Sequence, residues 1–145
     1  NNLGQLGTND TSTRSSMAQV GVGISWTDIE AGKYNATSFA KTNNSLWYVW
    51  GDNTNGQFSQ SNKVKKSSPI QVGSSTDWNF VTASDTTLFA IKTNGTLWAC
   101  GYNNSGQLGT SDTTNRSTMV QIGALSSWSK VVAGSGSSFG IQNLL

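Results

Sequence analysis

Gly101-Tyr102-Asn103-Asn104-Ser105-Gly106-Gln107-Leu108-Gly109 decides how the rest of the chain is read, because weaker copies of it recur at nearly fixed distance. One copy reads Gly51-Asp52-Asn53-Thr54-Asn55-Gly56-Gln57-Phe58, and near the amino terminus another reads Asn1-Asn2-Leu3-Gly4-Gln5-Leu6-Gly7. The Gly-Gln pairs at 4, 56 and 106 step by 52 and 50 residues. Gln19, Gln71 and Gln121 keep the same steps, as do Trp26, Trp78 and Trp128, and Ala31, Ala83 and Ala133. Phe39, Phe89 and Phe139 step by 50 and 50, which places a two-residue insertion between Ala31 and Phe39. A unit of about fifty residues holding several short apolar runs fits propeller blades and not a helical solenoid.

The second unit shows its strands most clearly. Trp78 to Ala83 and Thr87 to Lys92 are short β-favouring runs. Asn94-Gly95 between two apolar runs predicts a two-residue hairpin turn, with Leu97 to Cys100 returning as the next strand. After the Gly101–Gly109 connection, Met119 to Ile122 makes a fourth. The first unit gives Trp26 to Ala31, Thr37 to Lys41, Leu46 to Trp50 and Ile70 to Val72, with Asn43-Asn44 at the turn. The last gives Trp128 to Ala133 and Ser138 to Gln142. No segment shows sustained helical periodicity with caps. The expectation is an all-β chain of β-propeller blades, each of four antiparallel strands. The repeats are drawn at residues 1–55 (clipped at its amino end), 56–105 and 106–145 (incomplete). A stack of three blades leaves unpaired edges and aromatic end faces, so the chain is expected to belong to a larger ring or assembly.

The repeated positions carry structural expectations. Gly4, Gly56 and Gly106 supply positive φ or close backbone approach. Gln5, Gln57 and Gln107 are expected to bridge backbone groups of adjacent strands through their amides. Trp26, Trp78, Trp128, Phe39, Phe89 and Phe139 are expected to fill the space between neighbouring blades.

These residues resemble the repeat of the regulator of chromosome condensation family. Its unit carries a Gly-x-Asn-x-x-Gly-Gln-Leu-Gly core, an Arg-Ser-x-Pro tail and an aromatic strand ending in Trp-Gly. Here the core is Gly101 to Gly109, the tail is Lys66-Ser67-Ser68-Pro69, and the strand end is Trp50-Gly51. Arg14-Ser15-Ser16-Met17 and Arg116-Ser117-Thr118-Met119 are tails without proline, and the Gly-Gly-x-His segment of many family repeats has no counterpart in a chain without histidine. The resemblance implies a propeller of about seven blades, of which this chain would form under three. It does not carry over the exchange-factor activity of the founding member.

Only 11% of the 145 residues are charged, and 15 Asn, 22 Ser and 17 Thr supply the polar surface. A net charge of +2 makes no case for nucleic acid or membrane binding; the one basic run, Lys63-Val64-Lys65-Lys66, is short. No apolar run is long enough to cross a bilayer as a helix. Cys100 stands alone and takes a strand position beside Trp98, which predicts a buried, inert thiol. Without histidine there is no Ser-His-Asp or Cys-His arrangement and no usual zinc site. Asp10 and Asp112 occupy equivalent positions with Arg14 and Arg116 four residues on, a spacing that favours loop bracing over a glycosidase-like carboxylate pair. Asp52 to Gly56 fails the EF-hand pattern. Asn35 and Asn94 lie in Asn-x-Thr triplets and are candidate glycosylation sites.

The reading that follows is a noncatalytic structural or recognition propeller module. It is expected to use no cofactor or metal, to bind protein partners or copies of itself, and to be extracellular or associated with a surface appendage or virion. The alternative is a protein-binding regulator, such as a guanine-nucleotide exchange factor or an enzyme inhibitor, docking through propeller loops that include Tyr34, Tyr102 and Lys63 to Lys66.

Overall fold

The computed structural model describes residues 1–31, 37–84, 86–134 and 136–143. Tyr34, Asn35 and Asp85 lie outside the described residues. The strands are β1 (Trp26–Ala31), β2 (Thr37–Thr42), β3 (Trp47–Gly51), β4 (Lys66–Gln71), β5 (Trp78–Ala83), β6 (Thr87–Lys92), β7 (Leu97–Gly101), β8 (Arg116–Gln121), β9 (Trp128–Ala133) and β10 (Ser138–Gln142). They form two four-stranded antiparallel sheets, β1-β2-β3-β4 and β5-β6-β7-β8, and a two-stranded sheet of β9 and β10. Boundaries drawn at 55/56 and 105/106 fall in the β3–β4 and β7–β8 connections, so a sequence repeat and a sheet are out of phase.

Apolar residues fall on both faces of a strand where its sheet is covered on both sides, as the second sheet is. In β6, Thr87 to Ile91 are buried without alternation, the pattern of a strand packed on both sides. Leu88 and Ala90 belong to a cluster with Phe39, Val49 and Phe58 of the first sheet and its connection. Phe89 and Ile91 point the other way, into a cluster with Val131 and Trp128. Phe39 and Phe89 are buried in these clusters, whereas Phe139 is 73% exposed and, among the described residues, fills no space between sheets.

Irregularities repeat with the sequence. Thr27, Asn79 and Ser129 are each skipped in the pairing of a first strand with its second. A bulge at that point turns the preceding Trp relative to the rest of the strand. Trp26 Nε1 then donates to Val20 O (2.8 Å) and Trp78 Nε1 to Val72 O (3.4 Å). Trp26 meets Tyr48 edge-on at 5.5 Å, and Trp78 meets Trp98 likewise at 6.2 Å. Trp128 keeps the position, but its Nε1 is buried without a partner.

Three local expectations need correction. The outer strands begin at Lys66 and Arg116, earlier than Ile70 and Met119, and stop one residue short of Val72 and Ile122. Their polar first halves hide the strand, because an outermost strand has little apolar surface to bury. The turn at Asn94-Gly95 is not a two-residue hairpin. Gly95 N donates to Lys92 O (2.9 Å) and Lys92 N to Thr96 O (3.0 Å), and Gly95, unlike Asn94, has positive φ. That is a three-residue loop, a type I turn closed by a left-handed residue. Its counterpart in the first sheet is Asn44-Ser45, not Asn43-Asn44, since Ser45 N donates to Thr42 O and Ser45 has the positive φ.

Candidate functional site

The three signature loops share one construction. In each, an Asn side chain accepts from a backbone N–H five residues on: Leu6 N to Asn1 (2.8 Å), Phe58 N to Asn53 (3.0 Å), Leu108 N to Asn103 (2.9 Å). The Asn Nδ2 donates across the loop, from Asn1 to Asp10 O and Ser12 O, from Asn53 to Asn62 O and Val64 O, and from Asn103 to Asp112 O and Thr110 Oγ1. Asn53 and Asn103 have no exposed surface, so these bonds satisfy groups that water cannot reach. Asn1, Asn53 and Asn103 step by 52 and 50 like the Gly-Gln pairs, so the same spacing marks them in the sequence.

The glutamines work differently from expectation. Each Oε1 accepts from the backbone N–H two residues before it, Leu3, Asn55 and Ser105 in turn, at 3.0 to 3.1 Å. The amide oxygen therefore closes its own loop and, among the described residues, bridges no strands. The crossing bond comes from the glutamine's backbone carbonyl. Gln5 O accepts from Ser38 Oγ (3.0 Å) and Trp50 Nε1 (2.9 Å), Gln57 O from Cys100 Sγ (3.4 Å), and Gln107 O from Ser138 Oγ (2.8 Å). The second and third loops thus leave one sheet and seat on the next, and the first seats on the first sheet. Sequence alone hides this, because every residue has a carbonyl.

Loop tips also cap the outer strands. Asn9 N donates to Ser67 O (2.7 Å) and Ser61 N to Ser117 O (2.9 Å), which uses backbone groups a bare edge would leave open. Met119 N donates to Ser59 Oγ (2.9 Å). The first sheet has Pro69 where the second has Met119 and Gly7 where the second has Ser59, so the acceptor is present where there is an N–H to receive.

Three of the carboxylates, Asp10, Asp52 and Asp112, lie in these loops, whereas Glu30 lies in β1 and Cys100 in β7. Asp10 accepts from Ser12 N (2.9 Å) and pairs with Arg14 (2.5 Å); Asp112 accepts from Thr114 N (2.9 Å) and pairs with Arg116. The Thr114 N–H, foremost among its partners, holds the Asp112 carboxyl below the usual carboxylate range, with Thr110, Arg116 and Asn103 adding to it. Burial, and then the charge of Asp28, raise Glu30. Asp52 accepts from Thr54 Oγ1 (2.7 Å) and faces Lys65 at 3.6 Å, while Lys66 enters β4, which breaks up the basic run. Burial pushes the Cys100 thiol up to about 12. Among the described residues no group of three His, Cys, Asp or Glu is placed to hold a metal ion, and no helix is long and apolar enough to cross a membrane. Asn94 is exposed on its turn, with Oδ1 accepting from Thr96 Oγ1 (2.8 Å).

Large apolar side chains stand open on the two ends of the stack. Ile29 is 71% exposed at one end, and Phe139 and Ile141 lie open at the other; Val22, in the connection before β1, is 91% exposed. A cavity of about 390 Å³ on the first sheet is lined by Val20, Trp26, Ile29, Ala40 and Trp50.

Comparison with known proteins places this construction. Residues 94–141 match the regulator of chromosome condensation (RCC1) repeat, and residues 80–107 match a second model of that description. No curated protein matches the chain. Among solved structures it is similar to human WBSCR16, at 19% identity and a TM-score of 0.70, over 97% of this chain and 38% of that one. It is also similar to Prp20p of Saccharomyces cerevisiae, at 18% identity and a TM-score of 0.68, over 81% of this chain and 31% of that one. The yeast protein is described with its binding to Gsp1p and histones, and a further structure shows it with Kap60. This chain spans about a third of the length of these proteins, and the likeness is one of fold. The repeat matches over residues 80–141, on antiparallel sheets with the fold of these propellers, support an RCC1-type repeat family.

Proposed function

We propose that the chain is a noncatalytic propeller module that recognises protein partners. The observation that carries this reading is how its side chains are committed. Asp10, Asp52 and Asp112 are tied into three separate loops, and the thiol is buried. What lies open in quantity is apolar surface, including Met17 at 103% and Val22 at 91% exposure. Exposed apolar patches mark interaction sites in soluble folds. The partners of Prp20p support a protein ligand by analogy of fold. The test is capture by the immobilised chain from its native source, with the partner identified and titrated. The reading expects a saturable partner whose capture is lost in Met17→Asp or Val22→Asp. Capture indifferent to both substitutions, or a glycan-cleaving activity abolished by Asp112→Asn, would overturn it.

A second reading is a protein-binding regulator that promotes nucleotide exchange on a small GTPase, as the resemblance to the regulator of chromosome condensation repeat suggests; the description of Prp20p supports the protein-binding part of it. Accelerated release of labelled GDP from a GTPase partner would establish it. We further propose an extracellular or surface setting, which rests on the composition of 15 Asn, 22 Ser and 17 Thr with few charges. Labelling of the chain on intact cells by a membrane-impermeant reagent tests that setting.

A further inference from the structure

A cavity of about 370 Å³ opens along the seam where the loop between β3 and β4, and the link from β4 to β5, meet the second sheet. Everything that walls it lies between Ser59 and Met119, in the interior of the sequence. Trp78 and Trp98 form its aromatic side, meeting edge-on at 6.2 Å. Both rings are fixed in place. Trp78 Nε1 donates to Val72 O (3.4 Å) and Trp98 Nε1 to Thr96 Oγ1 (2.9 Å), and Lys92 Nζ stands 5.1 and 5.0 Å from the two ring centroids without itself lining the cavity. Trp98 is half-buried, so part of its ring surface stays open.

The rest of the lining is polar and uncharged: no Asp, Glu, Lys or Arg borders the cavity. Gln60 spends its Nε2 on Gln71 O (2.8 Å) and, among the described residues, leaves Oε1 unused. Ser61, Ser74, Ser75 and Thr118 also line it, and among the described residues their hydroxyls enter no hydrogen bond. The fold does not require these residue types. Where the second copy has Gln60, Ser74 and Ser75, the first has Thr8, Val22 and Gly23 and the third has Thr110, Ala124 and Leu125; Tyr48 stands in the first copy where Trp98 stands here. The same link between sheets is thus built elsewhere in the chain from apolar residues and glycine, and packing does not account for the polar groups gathered at this seam.

A ligand suited to this wall offers an apolar face to an indole and neutral groups that both donate and accept. A saccharide offers both, since its ring C–H bonds meet the electron-rich face of an aromatic ring and its hydroxyls pair with hydroxyls and an amide. An anion would find no cation among the lining residues. An extended peptide would find no free strand edge, because Met119 N already donates to Ser59 Oγ (2.9 Å) and Ser117 O already accepts from Ser61 N (2.9 Å). The volume falls within the range of about 300–1,000 Å³ usual for small-molecule sites.

We propose that this cavity binds a neutral saccharide, one sugar ring stacking on Trp98 and its hydroxyls bonding Gln60 Oε1 and the hydroxyls of Ser74, Ser75 and Thr118. This goes beyond the recognition of protein partners above, involves neither Met17 nor Val22, and stands or falls separately from it.

Binding of the fluorescently labelled protein to a printed array of neutral, sialylated and sulfated oligosaccharides, followed by calorimetric titration with the neutral oligosaccharides bound, tests the proposal. Two variants accompany the wild type. Trp98→Ala removes the stacking surface, and the triple variant Gln60→Thr, Ser74→Val and Ser75→Gly installs the residues of the first copy, which the same fold already carries. Circular dichroism checks that each is folded, and the triple variant decides the matter if Trp98→Ala is not. The wild type is expected to bind neutral oligosaccharides saturably, and each folded variant to bind them about tenfold more weakly or worse. No binding to any neutral oligosaccharide, binding to the acidic ones alone, or affinity that survives in the triple variant overturns the proposal.

Discussion

Gly56 and Gly106 hold one position of the repeat with φ of +79° and +73°, yet their surroundings differ. A Cβ on Gly56 would lie 2.7 Å from Ser117 Cα, whereas on Gly106 the nearest atom is Asp112 O at 4.0 Å. Gly106→Ala should therefore cost only the left-handed penalty of about 1–2 kcal/mol. Gly56→Ala adds an overpacking cost of about 1–3 kcal/mol, and denaturant midpoints of the two variants check the order. Asp112 gives a pH dependence of definite sign. Its carboxyl is held below the usual range in the folded chain by the Thr114 N–H first of all. The stabilisation is thus present above the ordinary carboxylate range and disappears as pH falls through the lowered value. Asp112→Asn should flatten the acid limb of a stability-versus-pH curve, while neutral-pH spectra stay unchanged. At this scale the Gly-Gln pairs were legible from spacing alone, whereas the use of the glutamine carbonyl was not.

Hairpins show how far an element follows from its own residues. The strands flanking Asn94-Gly95 were readable from β-branched and aromatic runs, but the turn type was not, because a two-residue and a three-residue loop accept the same Asn-Gly pair. Geometry separates them through Gly95, which alone carries the positive φ. In the first sheet that place belongs to Ser45, at φ 63° and exposed. Replacing it by glycine relieves the left-handed strain at the cost of a more flexible unfolded chain. Ser45→Gly should stabilise the protein by about 0.5–1 kcal/mol, read as a rise in the melting temperature. The polar halves of β4 and β8 were missed for a related reason. Their strand conformation comes from pairing with β3 and β7 and from the loop tips that bond their outer edge, not from propensity.

Across the whole molecule, three identical residues meet two different fates. Phe39 and Phe89 are 1% and 2% exposed, and Phe139 is 73% exposed. Phe39→Ala and Phe89→Ala should each cost about 3–5 kcal/mol, the loss of a buried ring and the cavity it leaves. Phe139→Ala, measured at low protein concentration, should change stability by no more than about 0.5 kcal/mol. Chemical denaturation of the three variants checks the contrast. Equal costs at all three positions would mean that the stacking of one sheet on the next does not set their burial.

The amino-acid sequence by itself determined the repeat, the all-β class and the strands within each unit, because period, β-propensity and turn residues act over a few neighbours and need no knowledge of distant ones. Tertiary structure decided which copy of each residue is buried, which glycine is crowded and which carbonyl bridges two sheets. Those properties depend on what lies across the interface. Repetition makes the residues alike, while position in the stack makes their surroundings unlike.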